Sequence, residues 1–247
     1  MNDIAIIGGA GTVGRHIVTV LQDRGHTVRV LSRSASQYPV DLRTGDGLEA
    51  ALAGCETVIQ AANSTRDADE VLVNGSRRLA EAAARAGVGH LVGVSIVGID
   101  DLPMSYYRAK LAQEAVMRES DLPVSILRST QFHELVLGAL AMLARRRVSP
   151  RAGVPLQPVA TAEAATVIAD VAGRAPTGMT TTLAGPQIES LSDLARAYNR
   201  ARPGHRVPIA LPMIGAAGRA LKRGALTCPD PDHRGTVEFG DWLSRRP

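Results

Sequence analysis

Short β-branched runs closed by glycines or small residues alternate along this chain with longer stretches whose apolar residues recur every three or four positions. These are the periods of strand and helix. Residues 4–7 are the first such run, and they end in Gly8-Gly9-Ala10-Gly11-Thr12-Val13-Gly14. From residue 15 to 23, Ile17, Val18, Val20 and Leu21 fall at helical spacing, and Gly25 follows as a left-handed stop. Residues 27–31 alternate into a second strand. Residues 39–42 predict a short third strand, 47–53 a brief helix, and 57–63 a buried strand running into a small-residue turn. A long helix is expected over 68–86, closing at Gly87, then a strand over 88–95, a helix, and a strand over 121–128. Strands and helices repeating this regularly predict an α/β architecture, a doubly wound parallel sheet with helices on both faces.

The pattern changes over residues 145–158, where Pro150, Gly153, Pro155 and Pro158 interrupt it. Shorter elements follow. Thr161 caps an Ala-rich helix to about residue 172, residues 179–183 are strand-like, and Ser190-x-x-Asp193 is a capping box opening another helix. A strand over 207–211 and two short helices complete the chain. This is too little for an independent core. The expected division is a main domain over residues 1–147 and a smaller α/β lobe over 148–247. That lobe is expected to pack over the carboxyl ends of the strands, where doubly wound sheets bind their ligands.

With 247 residues, 45% hydrophobic and 21% charged, the composition is that of an ordinary soluble globular protein. Aromatic residues make up only 3%, so the core must rest on Ala, Val, Leu and Ile. A formal net charge of +4 tolerates anionic ligands but is too small to argue for nucleic acid, and few rings are present to stack bases. Cys55 and Cys228 are isolated thiols without metal-like spacing, which suits a reducing cytoplasm and predicts no bound metal. No basic segment precedes the first strand, so no signal peptide is expected. The longest apolar run, residues 135–144, is well short of the ~20 residues needed to span a bilayer. The Arg145-Arg146-Arg147 triplet after it reads as the dipole-complementing end of a helix rather than a membrane attachment.

Strand, glycine turn and helix in that order make a nucleotide pocket. A residue without Cβ lets the backbone approach a pyrophosphate, and the N–H groups of the first helical turn point at it. Two spacings fit, Gly9-x-Gly11-x-x-Gly14 and Gly8-x-x-Gly11-x-x-Gly14. Gly11 would permit the approach, and Gly14 would let the helix pack closely on the strand. About 20 residues on, where an Asp or Glu would hold the ribose hydroxyls of NAD, the chain has Ser32 and Arg33. A guanidinium attracts a 2′-phosphate, so NADP(H) is expected in preference to NAD(H). Further along, Tyr106 and Lys110 are four apart and share one helical face. An ammonium close to a phenol favours phenolate. A phenol so tuned can hand a proton to a carbonyl oxygen as hydride arrives, or take one in reverse. Ser95, ending the preceding strand, could hydrogen-bond the same oxygen, and Tyr107 is the alternative phenol. His133 and Glu134 could face a substrate, or could cap the next helix or pair with Arg128.

The stretch from Gly8 to Arg15, the Ser32-Arg33 pair and Ser105-Tyr106-Tyr107-Arg108-Ala109-Lys110-Leu111-Ala112-Gln113-Glu114 together resemble the atypical short-chain dehydrogenase/reductase superfamily. The match is to its NmrA-like NAD(P)H-binding branch, over roughly residues 1–145, and residues 127–134 are similar to that branch's segment after the sixth strand. The resemblance implies a Rossmann-type fold with a small C-terminal substrate-binding lobe. It implies that Gly8, Gly11, Thr12, Val13 and Gly14 form the cofactor turn and that Arg33 meets the adenosine phosphate. Asp41 and Leu42 would lie beside adenine, and Ala61, Ala62 and Asn63 under the cofactor. Ser95, Tyr106 and Lys110 would be the catalytic set, Lys110 also holding the nicotinamide ribose, with Tyr107, Phe132 and His133 toward the substrate. The implied activity is that of an NADP(H)-dependent oxidoreductase acting on a small, mostly apolar carbonyl or conjugated compound, as a monomer or homodimer. Two alternatives stand beside it. One is a non-catalytic NADP(H)-sensing regulator, as some members of the branch are. The other is a sugar-nucleotide epimerase or dehydratase, which would need a diphosphate site.

Overall fold

The computed structural model describes residues 2–246. Strand β1 (Asp3–Ile7) leads into helix α1 (Gly14–Asp23) and β2 (Thr27–Leu31). Then come α2 (Leu48–Leu52), β3 (Thr57–Gln60), a π-helical segment (Asp69–Asn74), α3 (Gly75–Arg85), β4 (His90–Ile96), α4 (Ser105–Arg118) and β5 (Val124–Ser129). The rest of the chain forms α5 (His133–Arg145), β6 (Val148–Arg151), β7 (Pro155–Leu156), α6 (Thr161–Ala172), β8 (Thr180–Ala184) and β9 (Glu189–Ser190). It ends with α7 (Leu191–Ala201), β10 (Val207–Ala210), α8 (Gly215–Lys222), β11 (His233–Arg234) and α9 (Phe239–Ser244).

A seven-stranded sheet runs in the order β11-β8-β5-β4-β3-β1-β2, and β6 with β10 and β7 with β9 form two small two-stranded sheets. The pairings β1–β2, β1–β3, β3–β4 and β8–β11 are all parallel. This is the Rossmann-like α/β fold the pattern predicts. Parallel strands covered on both faces read as continuous apolar runs, and all four residues of β3 are buried, as are Ile4 to Ile7 of β1. Strand order reverses at β1, which has β2 on one side and β3 on the other; Ile7 lies opposite both Leu31 and Gln60. The carboxyl ends of β1 and β3 therefore flank the switch point, where open α/β sheets hold ligands.

The chain divides into two compact units, and neither is one continuous stretch. The first comprises the chain up to Ser95, Ser105–Arg128 and Ala165–Thr181; the second comprises Ile96–Met104, Ser129–Ala164 and the chain from Thr182. In the main sheet β8 and β11 follow β5 in order. Left uncovered, β5 would present a row of unpaired backbone groups. In the first unit, Ala5, Ile7, Leu31, Val58, Leu79 and Leu91 belong to one buried cluster. In the second, Val136 and Leu140 of α5, Leu194 and Tyr198 of α7, and Phe239 and Leu243 of α9 form another. The Ser190–Asp193 capping box at the start of α7 is present with both of its bonds.

Three expectations are corrected. Residues 39–42 form no strand, only a bridge between Ser32 and Pro39, although Val40 and Leu42 are buried. Gly45 and Gly47, at φ 86° and 80°, turn the chain back on itself, and a Cβ on Gly47 would meet the Pro39 carbonyl oxygen at 2.2 Å. The helix expected over 68–86 opens with a π segment, in which the Gly75 N–H reaches back five residues to the Glu70 carbonyl. At its end α3 approaches Leu42 so closely that a Cβ on Gly75 would lie 2.9 Å from the Leu42 Cβ. The interrupted stretch after residue 145 contains β6 and β7, whose partners β10 and β9 lie far along the chain. Among the described residues no helix is long and apolar enough to cross a membrane.

Candidate active site

The glycine turn is built by close backbone packing. Gly8 takes φ 78°, and its N–H donates to the Leu31 carbonyl at 2.9 Å. A Cβ there would meet Ala62 Cα and N at 2.7 Å, so the carboxyl ends of β1 and β3 touch without side chains between them. Gly14 is tighter still, with the Gly8 carbonyl oxygen 2.1 Å from where its Cβ would stand. Gly11 donates to that same carbonyl at 2.8 Å and is exposed beside Thr12, whereas Val13 is buried. No side chain caps α1, and its first turn carries no acidic residue. The amino end of α1 can therefore serve an anion.

A groove of about 160 Å³ lies at this switch point, and Gly8, Arg33, Asp41, Leu42, Ala62 and Asn63 all line it. Ala61 stands beside it, its N–H donating to the carbonyl of Ile7, a groove-lining residue, at 2.9 Å. The sequence reading missed Arg43, Ser64 and Val71, which also line the groove. Arg43 follows the Asp41-Leu42 pair directly and is bonded to Asp67 at 2.5 Å. The Ser32 hydroxyl is sealed from solvent with no hydrogen-bond partner among the described residues. A larger depression, of about 540 Å³, opens at the amino ends of β1, β3 and β4, around Asn2, Thr57 and His90. That is the opposite end of the strands from the glycines.

Helix α4 carries the reactive candidates. The Tyr106 hydroxyl donates to Asn63 Oδ1 at 2.9 Å, which ties the phenol to a residue lining the groove. Tyr107 is beside it, ring centroids 5.3 Å apart, and burial pushes both phenols above their usual range. Lys110 is 3% exposed; its Nζ donates to the Val94 carbonyl at 2.8 Å and to Gln113 Oε1 at 2.6 Å. Burial lowers its ammonium to about 8, with Glu114 acting in the other direction. Ser95 is buried, and its hydroxyl makes no full hydrogen bond with a described group, although it helps to keep the Glu114 carboxylate charged.

Glu114 itself was not singled out from sequence. Burial works against its ionisation, but Arg128, at 2.9 and 2.8 Å, and Arg118, at 3.1 Å, hold the carboxyl below its usual range. Arg128 thus pairs with Glu114. In the second unit, Phe132 precedes α5 and forms a bridge with Val159. His133 is fully buried, its ring edge-on to Trp242 at 5.0 Å and Phe239 at 5.5 Å, and burial lowers its pKa. Glu134 pairs with Arg246 at 3.0 Å and accepts from Thr161.

The sequence model of a family described as NAD(P)H-binding matches residues 8–171. The chain belongs to the NAD(P)H-binding family. The matched region holds the glycine turn, the groove and all of α4, in agreement with the resemblance read from the motifs. One curated relative, a (4-alkanoyl-5-oxo-2,5-dihydrofuran-3-yl)methyl phosphate reductase of Streptomyces griseus, is 29% identical over 144 residues, 52% of this chain and 48% of the relative. The chain spans about half the length of the first curated relatives it matches. Among solved structures, an NADPH-dependent quinone oxidoreductase from Escherichia coli complexed with NADPH superposes with TM-score 0.79 at 19% identity, covering 98% of both chains. A short-chain dehydrogenase/reductase superfamily protein from Agrobacterium tumefaciens with bound NAD superposes with TM-score 0.74 at 20% identity, covering 98% of this chain and 94% of that one. The two structures share this chain's fold, one with NADPH bound and the other with NAD.

Proposed function

We propose that the protein is an NADP(H)-dependent oxidoreductase that transfers hydride to or from a small, mostly apolar carbonyl or conjugated substrate. The observation that carries this reading is the hydrogen bond from the Tyr106 phenol to Asn63, a groove-lining residue, with the buried Lys110 amine one helical turn further along α4. When bound, the nicotinamide supplies the hydride. In the reducing direction Tyr106 gives its phenolic proton to the substrate oxygen while hydride adds to carbon, and the Lys110 ammonium stabilises the phenolate left behind. The unsatisfied Ser95 hydroxyl is assigned to the same oxygen. Preference for NADP(H) is supported by Arg33 and Arg43 lining the groove beside Ser32, which bridges to Pro39 and whose hydroxyl has no partner among the described residues. Small-residue packing at Gly8, Ala61 and Ala62 fits a dinucleotide drawn close to backbone.

Two measurements test this. Fluorescence titration is expected to show NADPH bound at least tenfold tighter than NADH, with the difference lost in Arg33→Ala; equal affinities in the wild type would remove the argument for Arg33. A panel of quinones, enones and aldehydes is expected to contain substrates that drive NADPH consumption, abolished in Tyr106→Phe. A second reading, a nucleotide-binding regulator without turnover, is favoured by one observation, that Lys110 directs hydrogen bonds to Val94 and Gln113. Tight NADPH binding with no turnover across the panel would select it.

A further inference from the structure

A chain of buried amides runs beneath α4. Gln60, Ser76 and Gln113 are 0%, 0% and 2% exposed, and they come from β3, α3 and α4. The Ala62 N–H donates to Gln60 Oε1 at 3.3 Å, which leaves the Gln60 amino group to donate to Ser76 Oγ, also at 3.3 Å. Ser76 Oγ accepts a second bond, from Gln113 Nε2 at 3.1 Å, and Gln113 Oε1 is thereby turned toward Lys110 Nζ at 2.6 Å. Each amide can be oriented only one way once its neighbour is set, because a flipped Gln113 would point an N–H at an ammonium. The orientation originates in a backbone N–H of the groove's own turn, Ala62, and ends at the amine.

We propose that Gln113, braced through Ser76 and Gln60 against the Ala62 turn, is the positioning residue that holds the Lys110 amine and sets its affinity for a proton. The catalytic use of that amine rests on the oxidoreductase reading; its placement by Gln113 does not. Lys110 meets neutral acceptors, the Val94 carbonyl and the Gln113 amide, where a carboxylate would have locked it as an ion pair. The charged groups around it have partners of their own. Glu114 on the same helix is bonded to Arg128 and Arg118, and Glu70 in the π segment packed on α4 is bonded to Arg78 and Asn74. On α3, Arg77 and Glu81 are exposed, and His90 on β4 is bonded to Ser125. The chain has two lysines, Lys110 and Lys222, among 28 basic residues, and Lys222 is exposed. An arginine could not replace the buried one in this role, since its guanidinium does not release a proton in a protein.

That scarcity makes the test direct. Protein labelled with carbon-13 at lysine Cε gives two signals, and each is followed by NMR through a pH titration, with Lys222 as an internal reference. The wild-type Lys110 midpoint is expected near 8, below the usual lysine range. Gln113→Glu sets a carboxylate against the amine and is expected to raise the Lys110 midpoint by at least about one pH unit. Gln113→Leu removes the acceptor and is expected to lower it. Ser76→Ala loosens the brace and is expected to lower it by less; it also serves with Gln113→Glu if the leucine variant does not fold. A Lys110 midpoint that stays within about 0.2 units of wild type in folded Gln113→Glu and Ser76→Ala proteins overturns the proposal. Where a substrate is in hand, the basic limb of kcat is expected to move with the midpoint while KM stays constant. Midpoints that move without any turnover leave the positioning role standing and remove the oxidoreductase. Tyr106-dependent turnover with fixed midpoints does the reverse.

Discussion

Gly11 and Gly14 sit three residues apart in one turn, yet replacing each by alanine should damage different properties. In Gly14→Ala the new Cβ would stand 2.1 Å from the Gly8 carbonyl oxygen and 2.7 Å from Gly9 Cα, against ordinary contacts of 3.4 Å or more. Both obstacles are backbone, so no side chain can rotate away. Helix α1 must retreat by about 1 Å, and it buries Ile17 and Leu21. Overpacking of this kind costs ~1–3 kcal/mol, and the upper end applies because a helix has to move. At roughly 2–4 °C per kcal/mol for a chain of this size, Tm should fall by about 6–12 °C. In Gly11→Ala the obstacle is the Gly8 carbonyl oxygen at 3.0 Å, which a shift of a few tenths of an ångström relieves, and the position carries no left-handed φ. Its Tm should stay within about 3 °C of wild type. Its NADPH affinity should nonetheless drop at least tenfold, about 1.4 kcal/mol, because the methyl stands on the exposed surface a pyrophosphate would approach. Thermal melts by circular dichroism and NADPH fluorescence titration on both variants decide the matter. A Gly14→Ala protein that melts with wild type, or a Gly11→Ala protein that keeps full affinity, refutes the assignment of packing to one glycine and approach to the other.

Tyr106→Phe is expected to lower kcat for NADPH-dependent reduction by about 10²–10⁴-fold with little change in KM; a loss below tenfold would move the proton donor to Tyr107. Because Lys110 is charged below about 8 and neutral above it, the same rate should decline as pH rises through that value, and a profile flat to pH 10 would contradict the role of its charge. Glu114→Gln leaves Arg128 and Arg118 facing a neutral amide around a carboxylate site that is almost fully buried. A stability loss of about 2–4 kcal/mol in urea unfolding is expected, and an unchanged midpoint would show the cluster to be energetically silent. His133 and His90 both have pKa values lowered by burial, so the folded chain binds fewer protons than the unfolded one. Stability should therefore fall as pH drops below about 6.5, with a shallower slope between pH 7 and 5 in His133→Gln; equal slopes would count against it.

What could be read from the sequence was whatever local chemistry decides. β2 and α6 span the residues that alternation and helical spacing mark out, and the Ser190–Asp193 box caps its helix, because each signal lies within a few residues of its effect. Gly8 and Ala62 of the groove were readable for a related reason, since the need for small side chains at a close approach shows directly in the sequence, whereas Arg43 carried no such mark. The rest depends on partners distant along the chain. The π segment ends where Gly75 packs against Leu42, thirty-three residues away, and β6 and β7 pair with β10 and β9. Arg128 finds Glu114 fourteen residues back in the chain, a pairing that no helical or strand spacing marks. No spacing rule links residues 60, 76 and 113, so the amide chain under Lys110 could be found only in three dimensions.

The order of the main sheet also constrains how the protein is made. Strand β5 is complete by residue 129, yet the neighbour that covers its outer edge starts at Thr180, and that neighbour is in turn covered by two residues at 233 and 234. During synthesis the nascent sheet must wait for some fifty further residues with a sticky flank open to other chains. A shortened version ending near residue 147, attractive as a minimal nucleotide-binding fragment, would keep that flank bare permanently and should clump during expression.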